Sequence, residues 1–142
     1  MAKITKAEID EIARDLKWVT LLNITVEDIG SGSARLRLPA SESVLRPGGT
    51  ISGPAMMTLA DFAMYVAVLG AIGRVEMALT TNLSINFLRP PPPGDLVGHC
   101  RLLKLGKRLA YGEVLMTSAA IDNDEPVAHA TLTYSIPPER PM

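Results

Sequence analysis

The 142-residue sequence has a single cysteine, Cys100, so it can form neither an intrachain disulfide nor a Cys-x-x-Cys metal motif. Such sparse use of cysteine is typical of a reducing compartment, and we expect the cytoplasm. An excess of either charge is also missing, since 14 Lys and Arg residues balance 15 Asp and Glu residues. The few aromatic residues, one Trp, three Tyr and two Phe, do not interleave with Lys or Arg. Both facts argue against nucleic acid as a partner.

A secretory signal is not expected either, because charged residues are spread through positions 1–16 and leave no continuous hydrophobic stretch. The one long apolar run, residues 51–72, is about long enough to cross a bilayer. Asp61 interrupts that run, and a carboxylate at mid-membrane depth is costly. No cluster of Lys or Arg flanks the run to set an orientation. We therefore expect a buried core helix and no membrane span.

Apolar residues dominate the rest of the composition. Hydrophobic residues make up 47% of the chain and charged residues 20%, enough to bury the core of one globular domain over residues 1–142. A capping-box pattern from Thr5 to Glu8 opens a short amphipathic helix within residues 1–20. Its apolar face is formed by Ile9, Ile12, Ala13 and Leu16.

Two short strands and one long helix follow. The strands are expected at residues 22–27 and 34–38, on either side of a glycine-bearing turn. Ser52 is placed to cap the long helix, and a glycine at 70–73 is expected to end it.

After the long helix, the hydrophobic period changes from 3.6 to 2, which predicts four more strands. In the first, Thr81, Leu83, Ile85 and Phe87 form an apolar face, and Thr80, Asn82, Ser84 and Asn86 form a polar face. The others are expected at 96–105, 110–121 and 128–136, with turns at 106–108 and 122–124 and a loose tail at 137–142. The fold class is therefore α+β, a long central helix wrapped by an antiparallel sheet of about six strands, plus the short N-terminal helix. A helix that is apolar on nearly all sides also suggests that a partner subunit completes its burial.

Asp61 breaks the apolar pattern of the long helix. A carboxylate in such surroundings needs a role, and perturbed carboxylates concentrate at active sites. We interpret Asp61 as a general base or nucleophile in a dry pocket. The alternative is a carboxylate whose hydrogen bonds are satisfied at an oligomer interface.

The glycine-rich start of the same helix, residues 48–53, presents backbone N–H groups at the positive end of the helix dipole. Such groups can polarise a carbonyl and stabilise an oxyanion, although many glycine-rich loops precede a helix without this role. Gly53 and Asp61 are eight residues apart, roughly 12 Å along the helix axis, which is too far for both to contact one carbonyl. Two antiparallel copies of the helix could supply one group each. This predicts a homodimer with active sites at the interface.

An ordered set of short motifs runs through the middle of the chain. In sequence order these are Ser52-Gly53-Pro54, Thr58-Leu59-Ala60-Asp61, the strand and proline turn of residues 80–90, Gly94-Asp95 and Gly106-Lys107-Arg108. Together they resemble the hotdog-fold thioesterases, and among them acyl-CoA thioesterases of the phenylacetate-degradation type, over about residues 45–134. The resemblance implies a curved antiparallel sheet around the long helix, dimers that often pair into tetramers, and hydrolysis of acyl-CoA thioesters without a metal or redox cofactor.

The same resemblance assigns roles to individual residues. Asp61 matches the catalytic carboxylate, Gly53 matches the glycine whose amide polarises the thioester carbonyl, and Thr80 matches a Ser or Thr that helps to hold water. The residues expected to contact the substrate, including its CoA portion, are Arg46, Ser52, Pro54, Asn82, Arg89, Lys107 and Arg108.

Three positions differ from the family pattern. Ser52 stands where relatives have histidine, Pro54 replaces a second glycine, and Arg46 stands where many relatives have asparagine. Pro54 also removes one N–H from the helix start. These differences motivate a second hypothesis, a protein of the same fold that binds acyl-CoA without hydrolysing it. A third hypothesis is a purely structural dimer.

Other candidate groups carry less chemistry. His99 and Cys100 are neighbours on an expected strand, so their side chains point to opposite faces and cannot pair as base and nucleophile. His129 lies on the polar face of the last strand, and two histidines with one cysteine make a weak ligand set, so no metal site is expected. The proline run at 90–93 is interpreted as a rigid turn between strands and not as a polyproline ligand.

Overall fold

The computed structural model describes residues 1–120 and 125–138. The turn expected at 122–124 and most of the expected tail lie outside the described residues. In chain order, the described elements are α1 (Lys6–Ala13), α2 (Lys17–Thr20), β1 (Thr25–Gly30), β2 (Ser33–Leu38), a 3-10 turn (Glu42–Val44), α3 (Gly53–Ile72), β3 (Leu79–Phe87), β4 (Leu96–Leu105), β5 (Leu109–Ser118) and β6 (Ala128–Ser135).

The six strands form one antiparallel sheet in the order β1-β2-β4-β5-β6-β3. Helix α3 contacts all six strands. Along β6, every second residue from Ala128 to Tyr134 is buried, which is the alternation expected of a strand that covers a core on one face. The predicted α+β class is confirmed, and the arrangement is the hotdog fold that the sequence motifs imply.

Helix α3 begins and ends where local chemistry predicts. The Ser52 hydroxyl accepts a hydrogen bond from the Ala55 amide at 3.3 Å and caps the N-terminus. At the other end, Gly73 adopts a φ of 93°, a conformation that favours glycine, and its amide donates to the Leu69 carbonyl.

The chain buries most of α3 by itself. Every residue from Phe62 to Ala71 is buried against the chain's own sheet and N-terminal segment, so burial over this stretch does not require a partner subunit.

The helix is long and apolar enough to cross a membrane, but 78% of its most apolar stretch is buried inside the chain. It is therefore the core helix of a soluble protein. Its N-terminal half remains partly exposed at Gly53, Met57, Thr58 and Asp61.

Gly70 allows α3 to lie directly on β1. A Cβ atom at this position would lie 2.3 Å from the Gly30 carbonyl oxygen and 3.1 Å from the Ile29 side chain. Because the nearest obstacle is backbone, no side-chain rotation could relieve the clash. The last helical turn is thus fixed against the start of the sheet.

Some predicted boundaries are wrong. The first strand begins at Thr25 and not at residue 22, because the preceding segment folds into the short helix α2 and a turn in which Asn23 adopts a φ of 57°. Strand β5 ends at Ser118 and not at residue 121. By contrast, the capping box at Thr5 and Glu8 and the bounds of β4 are confirmed.

Candidate active site

Asp61 is held by two hydroxyl groups from the sheet. Its Oδ1 atom accepts hydrogen bonds from Thr80 Oγ1 at 2.5 Å and from Tyr134 Oη at 2.7 Å. The Tyr134 hydroxyl also lies 3.0 Å from the main-chain carbonyl oxygen of Asp61. In the single chain, Asp61 is partly exposed and not enclosed in a dry pocket.

A β-bulge places Thr80 beside Asp61. Thr80 pairs with Tyr134 and Asn82 pairs with Thr133, so Thr81 is an extra residue in β3. Strict alternation predicts Thr80 on the polar face with Asn82, and the bulge makes that prediction wrong. Since directly opposed residues share a face of the sheet, Thr80 turns toward α3 as Tyr134 does.

Tyr134 was not singled out by the sequence pattern, which places it among the core residues of the last strand. Its side chain is 2% exposed, and its ring packs 6.3 Å from that of Tyr65. Burial, and secondly the negative charge of Asp61, raise the pKa of Tyr134 well above its usual range, so the phenol stays protonated and can donate. The sequence does carry a signal for Tyr134. A tyrosine at a core position of a strand indicates a buried hydrogen-bond partner for its hydroxyl.

The glycine-rich start of α3 opens onto a cavity of about 400 Å³. The lining residues are Arg46, Thr50, Ile51, Gly53, Met56, Phe87, Leu88, Arg89, Pro90 and Pro91. Three of the predicted site residues, Arg46, Gly53 and Arg89, are thus brought together. Asp61 and Thr80 do not line this cavity.

The first turn of α3 leaves one backbone amide unused. Pro54 has no N–H, the Ala55 amide donates to the Ser52 hydroxyl, and the Met56 amide donates to the Ser52 carbonyl at 3.2 Å. The Gly53 N–H lies at the cavity and donates no hydrogen bond to any residue that the structure describes. An unpaired N–H at a helix N-terminus is suited to bind a developing oxyanion.

Among the residues that the structure describes, the cavity lining includes two arginines and no acidic side chain. The Arg89 guanidinium donates to the Pro126 carbonyl and lies 3.4 Å from a Glu125 carboxylate oxygen. Arg46 forms no ion pair with any residue that the structure describes. Two arginines in one cavity favour an anionic ligand group such as phosphate.

The remaining predicted substrate contacts lie elsewhere in the chain. Asn82 pairs with Thr133 on the outer face of the sheet, away from Asp61. Lys107 and Arg108 form the exposed turn between β4 and β5, and the Arg108 carbonyl accepts from the Ile136 amide near the end of β6. Arg89 follows the end of β3, which pairs with the start of β6. The single chain therefore keeps Arg89 and the 107–108 turn at opposite ends of the sheet.

His99 and Cys100 lie on opposite faces of β4, as predicted. His99 is exposed while Cys100 is buried, and burial raises the pKa of the Cys100 thiol to about 12. On the outer face of the sheet, His129 Nε2 lies 2.9 Å from a carboxylate oxygen of Glu113. The proline run at 90–93 joins β3 to β4. Over residues 1–120 and 125–138, no group of three or more His, Cys, Asp or Glu side chains could hold a metal ion.

Known proteins share this fold and parts of this sequence. Residues 48–122 match the family model described as "Thioesterase superfamily". A crystal structure of a "putative thioesterase" from Silicibacter is 42% identical, with a TM-score of 0.79 over 97% of this chain and 95% of that one. A "putative esterase" of Halobacterium salinarum is 30% identical over 80% of this chain and 78% of its own length.

A more distant structure shares the fold. It is a mutant of the phenylacetic acid degradation protein PaaI from Thermus thermophilus, 22% identical, with a TM-score of 0.73 over 84% of this chain and 98% of that one. Since the family model covers more than half of the sequence, the chain belongs to the thioesterase superfamily. Membership in this superfamily supports a hydrolase that acts on a thioester or an ester.

Proposed function

We propose that this protein is a cytoplasmic acyl-CoA thioesterase that works as a homodimer, or as a tetramer of two such dimers. The reaction converts an acyl-CoA and water into a carboxylic acid and CoA, with no metal or redox cofactor. The single observation that carries this proposal is the unpaired Gly53 amide beside a cationic cavity, on the same helix as a carboxylate with one oxygen open. An oxyanion donor, a phosphate-binding side and a general base are the parts that thioester hydrolysis needs.

The free edge of β3 supports a site shared by two chains. β3 is the last strand of the sheet, and its sequence Leu-Thr-Thr-Asn-Leu-Ser-Ile-Asn-Phe contains no charge and no proline to block pairing with another strand. Asp61 lies at the start of β3, where Thr80 reaches it. Gly53 lies at the other end, where an added Cβ would be 3.4 Å from the Phe87 ring. Antiparallel pairing of two β3 edges about a two-fold axis brings one chain's Asp61 toward its partner's Gly53.

In the shared site, the Gly53 amide binds the thioester oxygen as negative charge develops on it. Asp61 then acts in one of two ways. As a general base, it takes a proton from the water that attacks the carbonyl carbon. As a nucleophile, it attacks that carbon itself, and water cleaves the resulting anhydride. In both cases the C–S bond breaks, and the departing thiolate takes up a proton to give CoA.

The same pairing gathers the cations that one chain keeps apart. Arg46 and Arg89 lie at the end of β3, and the 107–108 turn lies near its start, so an antiparallel partner brings its own 107–108 turn toward the arginine cavity. We assign these four residues to the phosphates of CoA. We place Ser52 and Pro54 beside the reacting carbonyl at the helix start, and Asn82 along the shared strand edge.

Thiol release from a panel of aromatic and aliphatic acyl-CoA thioesters tests the proposal. Wild type should turn over at least one member, and Asp61→Asn should lose about 100-fold or more of kcat with its fold intact. Asp28→Asn, at an exposed position on β1, is the matched control and should keep full activity. Absence of turnover by wild type across the panel, or an active Asp61→Asn variant, would refute the proposal.

The second candidate is a protein that binds acyl-CoA without hydrolysing it. Pro54 favours it, because only the Gly53 amide is left to bind an oxyanion in the first helical turn. This function predicts a rise in Tm with acyl-CoA and no thiol release, since a ligand that binds only the native state stabilises it. A purely structural dimer predicts neither effect.

A further inference from the structure

Two hydroxyl groups act on the same oxygen of Asp61. Thr80 and Tyr134 are directly paired between β3 and β6, and both side chains donate to Oδ1, at 2.5 and 2.7 Å. No hydrogen bond to Oδ2 comes from any residue that the structure describes. The two carboxylate oxygens are therefore not equivalent.

Tyr134 restrains more than the carboxylate. Its single hydroxyl proton is shared between Oδ1 and the Asp61 main-chain carbonyl oxygen, 3.0 Å away, so one phenol contacts both the side chain and the backbone of this residue on α3. The ring is buried and packs against Tyr65, and a tyrosine side chain has only two rotatable bonds. Thr80 is placed by the bulge in an edge strand, whereas Tyr134 belongs to β6, which has neighbours on both sides. Tyr134 is thus the more rigid of the two donors.

We propose that Tyr134 is a positioning residue that, with Thr80, holds Oδ1 of Asp61 and leaves Oδ2 as the oxygen that reacts. This inference rests on the proposed thioesterase function. Oδ2 takes the proton of the attacking water, or forms the bond to the carbonyl carbon, while the hydroxyl protons of Tyr134 and Thr80 stay in place. A carboxylate held at one oxygen keeps the other within the narrow range of positions that the attack requires.

Tyr134→Phe removes only the hydroxyl group and is the direct test. We expect kcat to fall about 10- to 100-fold, the effect of losing one hydrogen bond to a charged group, with KM changed by less than about twofold. Thr80→Val should lower kcat in the same way, and Thr80→Ser should restore it. The proposal is overturned if Tyr134→Phe keeps its kcat, or if KM changes in place of kcat.

Tyr65→Phe is the matched control for a general loss of stability. Tyr65 is also a buried tyrosine next to Tyr134, but its hydroxyl donates to the Glu76 carbonyl at 3.1 Å and not to Asp61. This variant should lose stability and keep its kcat. An equal loss of kcat in Tyr65→Phe would show that Tyr134 has a merely structural role and would overturn the proposal.

A double-mutant cycle measured by thermal unfolding tests this inference separately from the proposed function, because it requires no turnover. The Tm of wild type, Tyr134→Phe, Asp61→Asn and the double variant would be compared. If the two groups interact, the decrease in Tm of the double variant is clearly smaller than the sum of the decreases of the two single variants. Additive losses would overturn the positioning contact, even in an active enzyme. Inactive wild type with non-additive losses would refute the thioesterase and the assignment of Oδ2, and would leave the contact confirmed.

Discussion

Gly53 and Asp61 lie eight residues apart on α3, and one chain keeps them at opposite ends of β3. The phenyl ring of Phe87, the last residue of the strand, lies against Gly53, and the hydroxyl of Thr80, near its start, reaches Asp61. A single chain thus presents an oxyanion donor and a carboxylate that cannot act on the same bond. The unpaired, uncharged edge of β3 provides the means to join two such half-sites.

Charge on the β3 edge should separate the two chains. Ser84→Lys places a lysine near the middle of β3, where a two-fold axis brings it close to its own copy, and like charges at short range repel. We expect sedimentation equilibrium to give this variant half the mass of wild type, a monomer from a dimer or a dimer from a tetramer. Thr131→Lys is the control, because Thr131 pairs with Ser84 but lies on β6, inside the sheet. A monomeric wild type, or a Ser84→Lys variant with the same mass as wild type, would contradict pairing through β3.

Removal of a cavity cation should weaken CoA binding and leave the chemistry intact. Arg46→Ala should raise KM for an acyl-CoA about tenfold, the effect of losing one charged hydrogen bond, at nearly constant kcat. The same acyl group on N-acetylcysteamine, which lacks phosphates, should show no change. Arg101→Ala is the control, because Arg101 lies on the outer face of the sheet, paired with Glu113 at 2.7 Å. Equal effects on both thioesters would place Arg46 away from the phosphates.

Gly70→Ala should destabilise the fold by about 1–3 kcal/mol, because the new methyl group meets the Gly30 carbonyl and the backbone must move. Gly53 lies on the same helix. In the Gly53→Ala variant, the new Cβ would make an ordinary contact with the Phe87 ring at 3.4 Å. It should be neutral or slightly stabilising, since alanine favours helix more than glycine does. Urea unfolding of both variants measures the difference. Similar midpoints for the two variants would contradict the close approach of α3 to β1.

Burial of Cys100 predicts a loss of stability at alkaline pH. The pKa of the thiol is raised from 9.0 to about 12 by burial, so the unfolded chain releases this proton at a pH where the folded chain still holds it. The thiol's contribution to the free energy of unfolding is fully present below pH 9. Above pH 9 it falls by about 1.4 kcal/mol per pH unit. Cys100→Ala should flatten that slope between pH 9 and pH 10 in urea unfolding. Identical slopes in wild type and variant would show that the thiol is accessible.

The sequence predicts the elements whose determinants are local. The ends of α3 follow from Ser52 and Gly73, and the change of hydrophobic period after α3 predicts the strands. Helix α2 was missed because four residues are too few to show a period. The bulge at Thr80 was missed because it depends on pairing with β6, which strict alternation within β3 does not encode.

The candidate site was predicted in part for the same reason. Asp61 and Gly53 are visible as exceptions within their own segments, a charge in an apolar run and a glycine at a helix start. Tyr134 fits its strand as a core residue, and its role depends on a contact with Asp61, 73 positions earlier in the chain. The cavity formed by Arg46 and Arg89 also requires the tertiary fold, because the loop before α3 and the end of β3 meet only in the folded chain.

Mixed dimers test the shared site most directly. Asp61→Asn removes the carboxylate, and Gly53→Pro removes the amide at a helix position that tolerates proline, with Gly53→Ala as the control that keeps the amide. When Asp61→Asn and Gly53→Pro are co-expressed, half of the dimers are mixed, and each mixed dimer has one site with both native groups. Thioesterase activity should recover to about a quarter of the wild-type value, although each variant alone is inactive. Activity no higher than that of the better single variant would contradict a site built from two chains.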